Sequence, residues 1–276
     1  MAKSNYENFP VASFFIPKSK SSYLHSIYAF ARTADNIADS RYLDPDDKLI
    51  KLSDMGNYLE MDSESIEKLQ DVHFRNVFFA LEDTIRKLGI NRKELLKLLT
   101  AFEQDAVKKR YDKYDDILKY SEYSANPVGH LVLKVFGYDE VNNERLFTFS
   151  DNICTGLQLA NFWQDVSRDL KINRIYIPKD TMSTFKYSYD ELYLKIENDN
   201  FKRMMTYLVD EAQELFRKGR GLPDNLKGRL KYELRAIIYG GEKILDMIRD
   251  INYKVLSRRV SLSKKGKLGI LMKALF

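Results

Sequence analysis

The chain has one cysteine, three histidines and six prolines among its 276 residues. A single cysteine, Cys154, excludes an internal disulfide framework and a thiolate zinc site, and it favours a reducing compartment. No proline falls between Pro45 and Pro127, and so long a proline-free stretch is typical of helices. We therefore expect a cytoplasmic protein built mainly from helices.

Long apolar runs are also missing from the chain. No apolar segment approaches the length of about 20 residues that spans a bilayer, so we expect no transmembrane helix. Glu7 and Pro10 interrupt the first residues, where a signal peptide would need an uninterrupted apolar run. No linker rich in Gly, Ser or Pro divides the chain, and no solenoid repeat is evident. We expect a single domain over residues 1–276.

The pattern that dominates the sequence is helical. Apolar residues recur with a period of about 3.6, and alternating strand-like runs are scarce, which predicts an all-α protein. Apolar residues make up 44% of the chain, which is enough for a substantial core. Helices are predicted near residues 21–40, 64–89, 92–110, 114–136, 142–170, 189–218 and 227–256.

The net charge of +5 is concentrated at the C-terminus. Seven basic residues and no acidic ones lie between Lys254 and Phe276, interleaved with apolar side chains, while the remainder is close to neutral. This basic tail from about residue 254 suits an anionic membrane surface or an acidic ligand, although a solvated basic terminus has the same composition. Nucleic acid is not expected as a partner, because such a binder usually carries positive charge across the whole domain.

A first acidic motif lies in SIYAFARTADNIADS, residues 26–40. Asp35 and Asp39 are four residues apart, so on a helix they project from one face. The other sides of this helix are apolar, and exposure to water therefore does not explain the pattern. The spacing alone is weak evidence, because pairs such as Asp112 and Asp116 also arise by chance on solvated faces.

A second acidic motif repeats the pattern in CTGLQLANFWQDVSRDLKINRIYIP, residues 154–178. Asp165 and Asp169 form the pair, and Asn161 and Gln158 extend the same stripe toward the N-terminus. Apolar side chains surround the stripe on almost every other side. Because buried polar groups need partners, we expect this stripe to face an internal cavity.

Two such helices facing each other would bring four carboxylates to one cavity mouth, where repulsion and desolvation require cations. Mg²⁺ fits best, because it prefers hard oxygen ligands and binds through one or two carboxylates together with substrate phosphates. No histidine follows a glutamate by three residues, so the Glu-x-x-His pattern of di-iron bundles is absent, and the histidines are expected to be structural or on the surface. Guanidinium groups that could bind diphosphate lie nearby: Arg32, Arg168, Arg174, Arg258 and Arg259.

Aromatic residues make up 13% of the chain, and some of them cluster beside the acidic motifs. Most belong to an ordinary core. A cavity lined by such rings could also hold a long hydrocarbon and stabilise a carbocation by about 1–2 kcal/mol per desolvated contact. Metal ions at the mouth and aromatic rings inside indicate ionisation of an allylic diphosphate.

Four segments in order resemble the squalene/phytoene synthase family of head-to-head prenyl synthases. The segments are NFPVASFFIP at 8–17, IYAFARTADNIAD at 27–39, YSEYSANPVGHLVL at 120–133 and GLQLANFWQDVSRDLKINRIYIP at 156–178. The opening NFPVAS together with ARTAD looks most like the bacterial, hopanoid-associated branch. The resemblance implies an isoprenoid synthase fold, a single helical bundle around a central apolar cavity.

Carried over position by position, the resemblance assigns the catalytic and metal-binding carboxylates to Asp35, Asp39, Asp165 and Asp169. It assigns substrate contacts to Phe9, Arg32, Tyr120, Gln158, Asn161, Arg174 and Tyr176, and Asn161 is also a candidate metal ligand. Asn36 and Ser40 stand where the family often has acids. Because the main pair survives, we expect Mg²⁺ binding to persist with lower affinity.

The implied activity belongs to triterpene and hopanoid synthesis. It converts presqualene diphosphate into hydroxysqualene by water capture, or farnesyl diphosphate into squalene. NADPH is not expected to be required, since no Gly-rich dinucleotide motif is present. Expected partners are the prenyl diphosphate, the inner face of the membrane as a peripheral surface, and neighbouring pathway enzymes. The alternatives are a phytoene or dehydrosqualene synthase of carotenoid synthesis and a non-catalytic, membrane-associated assembly factor.

Overall fold

The computed structural model describes residues 16–275, and each element within this range is helical. The all-α prediction is therefore confirmed. The α-helices are α1 Lys18–Ala38, α2 Pro45–Leu59, α3 Ser63–Glu67, α4 Val72–Leu88, α5 Arg92–Val107, α6 Tyr114–Ser124, α7 Asn126–Val135, α8 Glu140–Lys171, α9 Lys179–Thr184, α10 Tyr189–Tyr193, α11 Asp199–Gly219, α12 Leu230–Asp250 and α13 Lys264–Leu275. A 3-10 turn, Pro223–Asn225, precedes α12.

The contacts of the chain fall into two compact units. The described part of unit one comprises residues 16–108 and 123–147. In it, α1 packs against α2, α4, α5 and α7. Its core is formed by side chains with almost no exposure, among them Phe30, Ala34, Leu52, Met55, Phe78, Leu81 and Leu95. The rings of Phe30 and Phe78 meet edge to face at 5.8 Å, which fixes α1 against α4.

Local signals set where the helices of unit one begin. Asp44 caps α2 by accepting a hydrogen bond from the Asp47 amide, and Pro45 occupies the first turn. None of the predicted helices covers α2, which is therefore an addition to the predicted set. The single helix predicted over 64–89 is wrong, because Asp71 caps a new helix, α4, within that range.

The described part of unit two comprises residues 109–122 and 148–275. Residues 148–171 of α8 pack in it beside α11 and α12, and the approach is close at Gly241. A Cβ at this position would overlap the ring of Phe216 and the side chain of Leu157. Glycine is thus required where α12 crosses its neighbours, and this packing fixes the part of α8 that carries the second acidic motif.

Two further predicted helices are interrupted. The range 114–136 holds α6 and α7, because Pro127 lies in the first turn of α7 and a new helix begins there. The range 189–218 holds α10 and α11, since Asn198 caps α11 through the Phe201 amide. Both single-helix predictions are wrong for the same reason: a start signal lies inside a periodic run.

The basic segment after Lys254 is folded onto unit two. Val255, Leu256 and Val260 are buried. The helix α13 contacts α12, with Ile270 and Ala274 packed against it. The expected tail is thus an ordered part of the unit as far as residue 275. Among the described residues, no helix combines the length and the apolarity needed to cross a membrane.

Candidate functional site

The second acidic motif lies along one stripe of α8 in unit two. Gln158, Asn161, Asp165 and Asp169 follow one another at spacings of three, four and four residues, so they share a face of the helix. All four side chains are partly buried. The apolar residues on the other sides of α8, such as Phe162, are buried in the core. The polar stripe predicted from the sequence is therefore present as a half-buried feature.

Asp165 is paired with arginines at both of its oxygens. Nε of Arg259 donates to Oδ1 at 2.5 Å, and one terminal nitrogen of the same guanidinium donates to Oδ2 at 3.3 Å. Arg168, one turn further along α8, lies 3.5 Å from Oδ2. The Asp165 side chain is only 13% exposed. A largely buried carboxylate needs this positive charge, and Arg259 supplies it with fork geometry.

Asp169 borders a small cavity in unit two. The cavity measures about 10 Å³, room for a single water molecule, and Asp169, Arg174 and Tyr176 are among the residues that line it. The chain turns back on itself here, since the Arg174 amide donates to the Asp169 carbonyl at 2.8 Å. A carboxylate, a guanidinium and an aromatic ring thus meet at the end of α8.

Four aromatic rings of unit two form a cluster next to this cavity. Phe162 and Tyr176 stack at 3.7 Å with an interplanar angle of 13°. Tyr120 lies 6.0 Å from Phe162 and 6.1 Å from Tyr176. Tyr111 lies 5.7 Å from Tyr176 and 5.8 Å from Tyr120. The predicted residues Tyr120 and Tyr176 are therefore together, and ring faces of this kind attract a developing cation.

Tyr111 and Arg110 also belong to this region, although neither was predicted, because both lie outside the segments that carry the family resemblance. Arg110 donates to the main-chain oxygen of Asn173 and to its Oδ1, each at 2.5 Å, and to the hydroxyl of Tyr193 at 2.5 Å. The Ile175 amide donates to the Lys109 carbonyl at 3.0 Å. These contacts fasten the turn that carries Arg174 and Tyr176. The only signal in the sequence was a basic residue next to a tyrosine, and this pair is too common to identify a functional site.

The first acidic motif lies in unit one, at the end of α1. Asp35 accepts a hydrogen bond from Arg32 of the same helix at 2.6 Å, and its side chain is 36% exposed. Asp39 is the C-cap residue of α1 and is exposed. Asn36, which replaces an acid of the family pattern, is exposed as well. Arg32, which was predicted to bind the diphosphate, therefore lies next to Asp35.

Three of the four acidic residues, Asp35, Asp39 and Asp169, occur at the C-terminal ends of their helices, and Asp165 lies one turn earlier in α8. Asp35 and Asp39 lie in the last turn and cap of α1, where no basic residue is present, and Asp169 lies in the last turn of α8. The negative end of the helix dipole disfavours a carboxylate at such a position by about 0.3–1 kcal/mol, and it favours a cation. The end of α1 therefore favours a cation, and at the end of α8 Arg168 and Lys171 already supply positive charge.

Each acidic pair by itself provides two hard oxygen donors. Within residues 16–275, no group of three or more His, Cys, Asp or Glu side chains gathers to hold a metal ion. Two carboxylates are the number with which Mg²⁺ is commonly held when substrate phosphates complete its coordination. The donor set fits this mode of binding, and Asn161 lies on the same stripe as Asp165. Phe9, the remaining predicted contact, lies outside the described residues.

Comparisons with known proteins identify the family of the chain. The sequence model of the squalene/phytoene synthase family matches residues 2–265. The hydroxysqualene synthase of Sinorhizobium fredii is 34% identical over 245 residues, 88% of this chain and 80% of that protein. The hydroxysqualene synthase of Rhodopseudomonas palustris is 33% identical over 93% of this chain and 83% of that protein. A protein named 15-cis-phytoene synthase from Synechococcus elongatus is more distant, at 22% identity over 95% of this chain and 86% of its own.

A solved structure confirms the fold. The crystal structure of squalene synthase HpnC from Alicyclobacillus acidocaldarius matches with a TM-score of 0.81 at 35% identity, covering 91% of this chain and 90% of that chain. The fold is thus the isoprenoid synthase fold. The chain belongs to the squalene/phytoene synthase family, and like the relatives named above it is an enzyme.

Proposed function

We propose that the protein is a Mg²⁺-dependent enzyme that converts presqualene diphosphate and water into hydroxysqualene and diphosphate. The observation that carries the proposal is the end of α8, where Asp169, Arg174 and Tyr176 border one cavity and Asp165 is one turn away. Identity above 30% to two proteins named hydroxysqualene synthase supports the same reaction.

The residues proposed to hold Mg²⁺ are the two acidic pairs, Asp35 with Asp39 and Asp165 with Asp169, with Asn161 as a further oxygen donor. When bound, Mg²⁺ would neutralise the diphosphate leaving group and so favour cleavage of its bond to carbon. Two arginines would also neutralise the negative charge of the diphosphate. Arg174 beside Asp169 and Arg32 beside Asp35 are each placed to bind phosphate oxygens by bidentate hydrogen bonds.

Aromatic rings have the complementary role toward the hydrocarbon. Heterolysis of the carbon–oxygen bond leaves the electron pair on diphosphate and a cation on the prenyl group. The aromatic cluster of Phe162, Tyr176, Tyr120 and Tyr111 would stabilise that cation through ring faces turned toward the substrate and would limit access of water. The cation rearranges, since a carbon–carbon bond of the cyclopropane ring breaks as the bond that joins the two halves of the product forms. One water molecule then adds to the rearranged cation, its proton passes to solvent, and hydroxysqualene results. No reductant enters this balance, so NADPH is not required.

An assay with presqualene diphosphate tests the proposal. We expect release of diphosphate and formation of hydroxysqualene with Mg²⁺, no reaction with EDTA, and no effect of NADPH. A second candidate, synthesis of squalene from farnesyl diphosphate, is favoured by the name of the HpnC structure. Product mass separates the two, and it also separates carotenoid precursors, which contain no oxygen. If neither diphosphate is consumed, the proposal is wrong.

We also propose that the enzyme works as a peripheral protein on the inner face of the membrane, where its substrate dissolves and neighbouring pathway enzymes can exchange intermediates with it. The basic C-terminal segment supports this location. Lys264 and Lys265 are exposed on α13 together with Leu268 and Met272, which are 60% and 50% exposed. Binding to anionic vesicles should therefore weaken as salt rises, and binding that ignores salt would contradict the role of this segment.

A further inference from the structure

A cleft of about 390 Å³ lies in unit two, between the end of α12 and the segment that follows this helix. We call it the α12 cleft. Its volume is that of a small-molecule site, since such sites measure about 300–1,000 Å³. Three of its lining residues are apolar and three carry hydrogen-bond donors: Met247, Ile251 and Val260, and Arg258, Arg259 and Ser261. This lining fits an anion that also carries an apolar group.

Arg258 is the unpaired cation of the α12 cleft. Its side chain is exposed, and among the described residues its guanidinium has no hydrogen-bond or carboxylate partner. The acids on this side of α12 do have basic partners. Asp250, which also lines the cleft, lies 4.0 Å from Nζ of Lys243, and Asp246 accepts from Arg249 at 3.2 Å. An unpaired guanidinium in a cleft binds a phosphate group by bidentate hydrogen bonds.

The segment that carries Arg258 is fixed on both sides of this residue. Nε2 of Gln164, on α8, donates to the Val260 carbonyl at 2.7 Å. On the other side, the amide and the hydroxyl of Ser257 donate to the Glu197 carboxylate at 3.1 and 2.8 Å. These hydrogen bonds engage Glu197 and hold the backbone in place. The α12 cleft is therefore preformed, and a ligand does not have to order its backbone.

Arg259 belongs both to the α12 cleft and to the second acidic motif. It lines the cleft, and two of its nitrogens donate to Asp165. Gln164 precedes Asp165, so two consecutive residues of α8 hold Arg259 and Val260, two consecutive residues of the segment. An anion bound beside Arg258 attracts the Arg259 guanidinium as well, and this attraction competes with the Asp165 carboxylate.

We propose that the α12 cleft binds a phosphate group with an apolar substituent, and that the bound phosphate loosens Arg259 from Asp165 and so favours Mg²⁺ at that carboxylate. Arg258 and Ser261 bind the phosphate oxygens, and the apolar substituent lies on Met247 and Ile251. Phosphate and Mg²⁺ then strengthen each other's binding, because coupling between two sites is reciprocal. The link to Mg²⁺ rests on the proposed function, whereas the phosphate site does not.

This site is separate from the cavity at the end of α8. The two share no lining residue: Asp169 and Arg174 border the small cavity, and Arg258 and Ser261 border the α12 cleft. A phosphate compound can therefore be assigned to one or the other by substituting a single arginine.

Equilibrium dialysis of the full chain with radiolabelled hexyl phosphate, in EDTA and without substrate, tests the site. We expect Arg258→Gln to weaken binding about tenfold or more, and Ser261→Ala to weaken it about fivefold. Lys265→Gln, at another exposed basic residue, is the matched control and should bind as the wild type does. Inorganic phosphate should bind about tenfold more weakly than hexyl phosphate, because it leaves the apolar residues uncovered.

Vesicles that contain phosphatidic acid distinguish two sources of the phosphate group. If they displace hexyl phosphate from the wild type, the ligand is a lipid headgroup. If hexyl phosphate stays bound, the ligand is a soluble phosphate ester. Both results support the site.

Calorimetric titration with Mg²⁺, with and without saturating hexyl phosphate, tests the link to Asp165. We expect hexyl phosphate to tighten Mg²⁺ binding about twofold to fivefold in the wild type, and to have no effect in Arg258→Gln or Arg259→Gln. Unchanged or weaker Mg²⁺ binding by the wild type would overturn this link.

The phosphate site itself is overturned if the wild type does not bind hexyl phosphate, or if Arg258→Gln binds it as the wild type does. Loss of binding in Arg174→Gln in place of Arg258→Gln would assign the phosphate to the end of α8 and overturn the site as well. Diphosphate release from presqualene diphosphate is measured separately on the wild type. Its absence would contradict the proposed function and leave the dialysis result valid.

Discussion

The two acidic pairs share a spacing and differ in their surroundings. Asp35 and Asp39 end a helix whose other faces form the apolar core of unit one, and Asp35 is paired with Arg32 from its own helix. Asp165, in contrast, is paired with Arg259, a residue 94 positions along the chain. Its neighbour Asp169 borders a cavity with Arg174. Spacing places two carboxylates on one face, and distant segments decide how they are held.

This difference suggests a division between the pairs. The second pair is held by basic and aromatic side chains that are already in place, so it is prepared to receive a charged group. The first pair is more exposed, with Asp39 at the very end of α1. Asp35, Asp39 and Asp169 lie at the negative ends of their helices, where a cation is favoured.

The largest effect should come from removing a carboxylate of the second pair. Asp169→Asn keeps the shape of the side chain and removes its charge, so we expect kcat to fall about a hundredfold to a thousandfold with little loss of stability. Asp35→Asn should cause a fall of the same order if the first pair also binds an ion that the reaction needs. Asp112→Asn, an exposed acid in unit two, is the control and should retain activity. If Asp169→Asn and Asp112→Asn are equally active, the second acidic pair has no role in the reaction.

Glu94 in unit one is a carboxylate with a structural role, so its removal should reduce stability and leave activity unchanged. Its Oε2 lies 3.1 Å from Nδ1 of His130, and Lys97 binds Oε1 at 2.9 Å. Burial by itself would raise the pKa of Glu94, but the hydrogen bonds from His130 and Lys97 outweigh it, so the pKa lies below its ordinary value of 4.5. The stability from Glu94 is therefore fully present above that value and is lost as pH falls through the lowered pKa.

Glu94→Gln should accordingly reduce the free energy of unfolding by about 1–3 kcal/mol at neutral pH and leave the activity of the folded enzyme intact. Its stability should also depend less on pH in the acidic range than that of the wild type. Denaturant unfolding at several pH values measures both effects. Glu64→Gln, at a 79% exposed side chain, is the control. An unchanged pH dependence would show that Glu94 does not titrate as described.

A smaller effect on rate is expected from Arg110, which positions the turn after α8. Arg110→Lys keeps the charge but loses the fork that joins Asn173 to Tyr193, so we expect kcat to fall about tenfold and the required Mg²⁺ concentration to rise. Arg203→Lys, on an exposed part of α11, is the control. Steady-state kinetics over a range of Mg²⁺ concentrations would show the shift. A change in stability alone, with kinetics unaltered, would contradict a positioning role.

The smallest effect concerns Arg259, which is paired with Asp165 and would compete with a metal ion for that carboxylate. Because Arg259 is 40% exposed, its ion pair is partly screened, and Arg259→Gln should tighten Mg²⁺ binding to the free protein only about twofold to fivefold. Calorimetric titration measures this directly. Arg258→Gln alters the adjacent exposed arginine and should leave the affinity as it is. Weaker Mg²⁺ binding after Arg259→Gln would show that Arg259 does not compete with the metal ion.

Several features of the fold could be predicted from the sequence because they depend on local patterns. Helical periodicity identified α1, α5 and most of α8, and four-residue spacing placed each acidic pair on one face. The breaks at Asp71, Pro127 and Asn198 were missed, although each is a local start signal, because the apolar period continues across them. Apolar periodicity indicates which face of a helix is buried, whereas capping residues indicate where a helix begins and ends.

The environment of the site was less accessible. The pairing of Asp165 with Arg259 and the contacts of Arg110 join residues 94, 63 and 83 positions apart. No local rule connects such positions, so the sequence could nominate Arg259 only as one of several basic side chains. The family resemblance supplied Tyr120 and Tyr176, whereas Tyr111, which completes the ring cluster, carried no signal of its own.

The most direct test of the account is a crystal structure with Mn²⁺ in place of Mg²⁺ and with diphosphate bound, in which anomalous scattering locates the metal. The account predicts Mn²⁺ on carboxylate oxygens of each acidic pair, Asp35 with Asp39 and Asp165 with Asp169, with diphosphate oxygens among its ligands and Arg259 displaced from Asp165. Bound diphosphate with no Mn²⁺ at either acidic pair would contradict it.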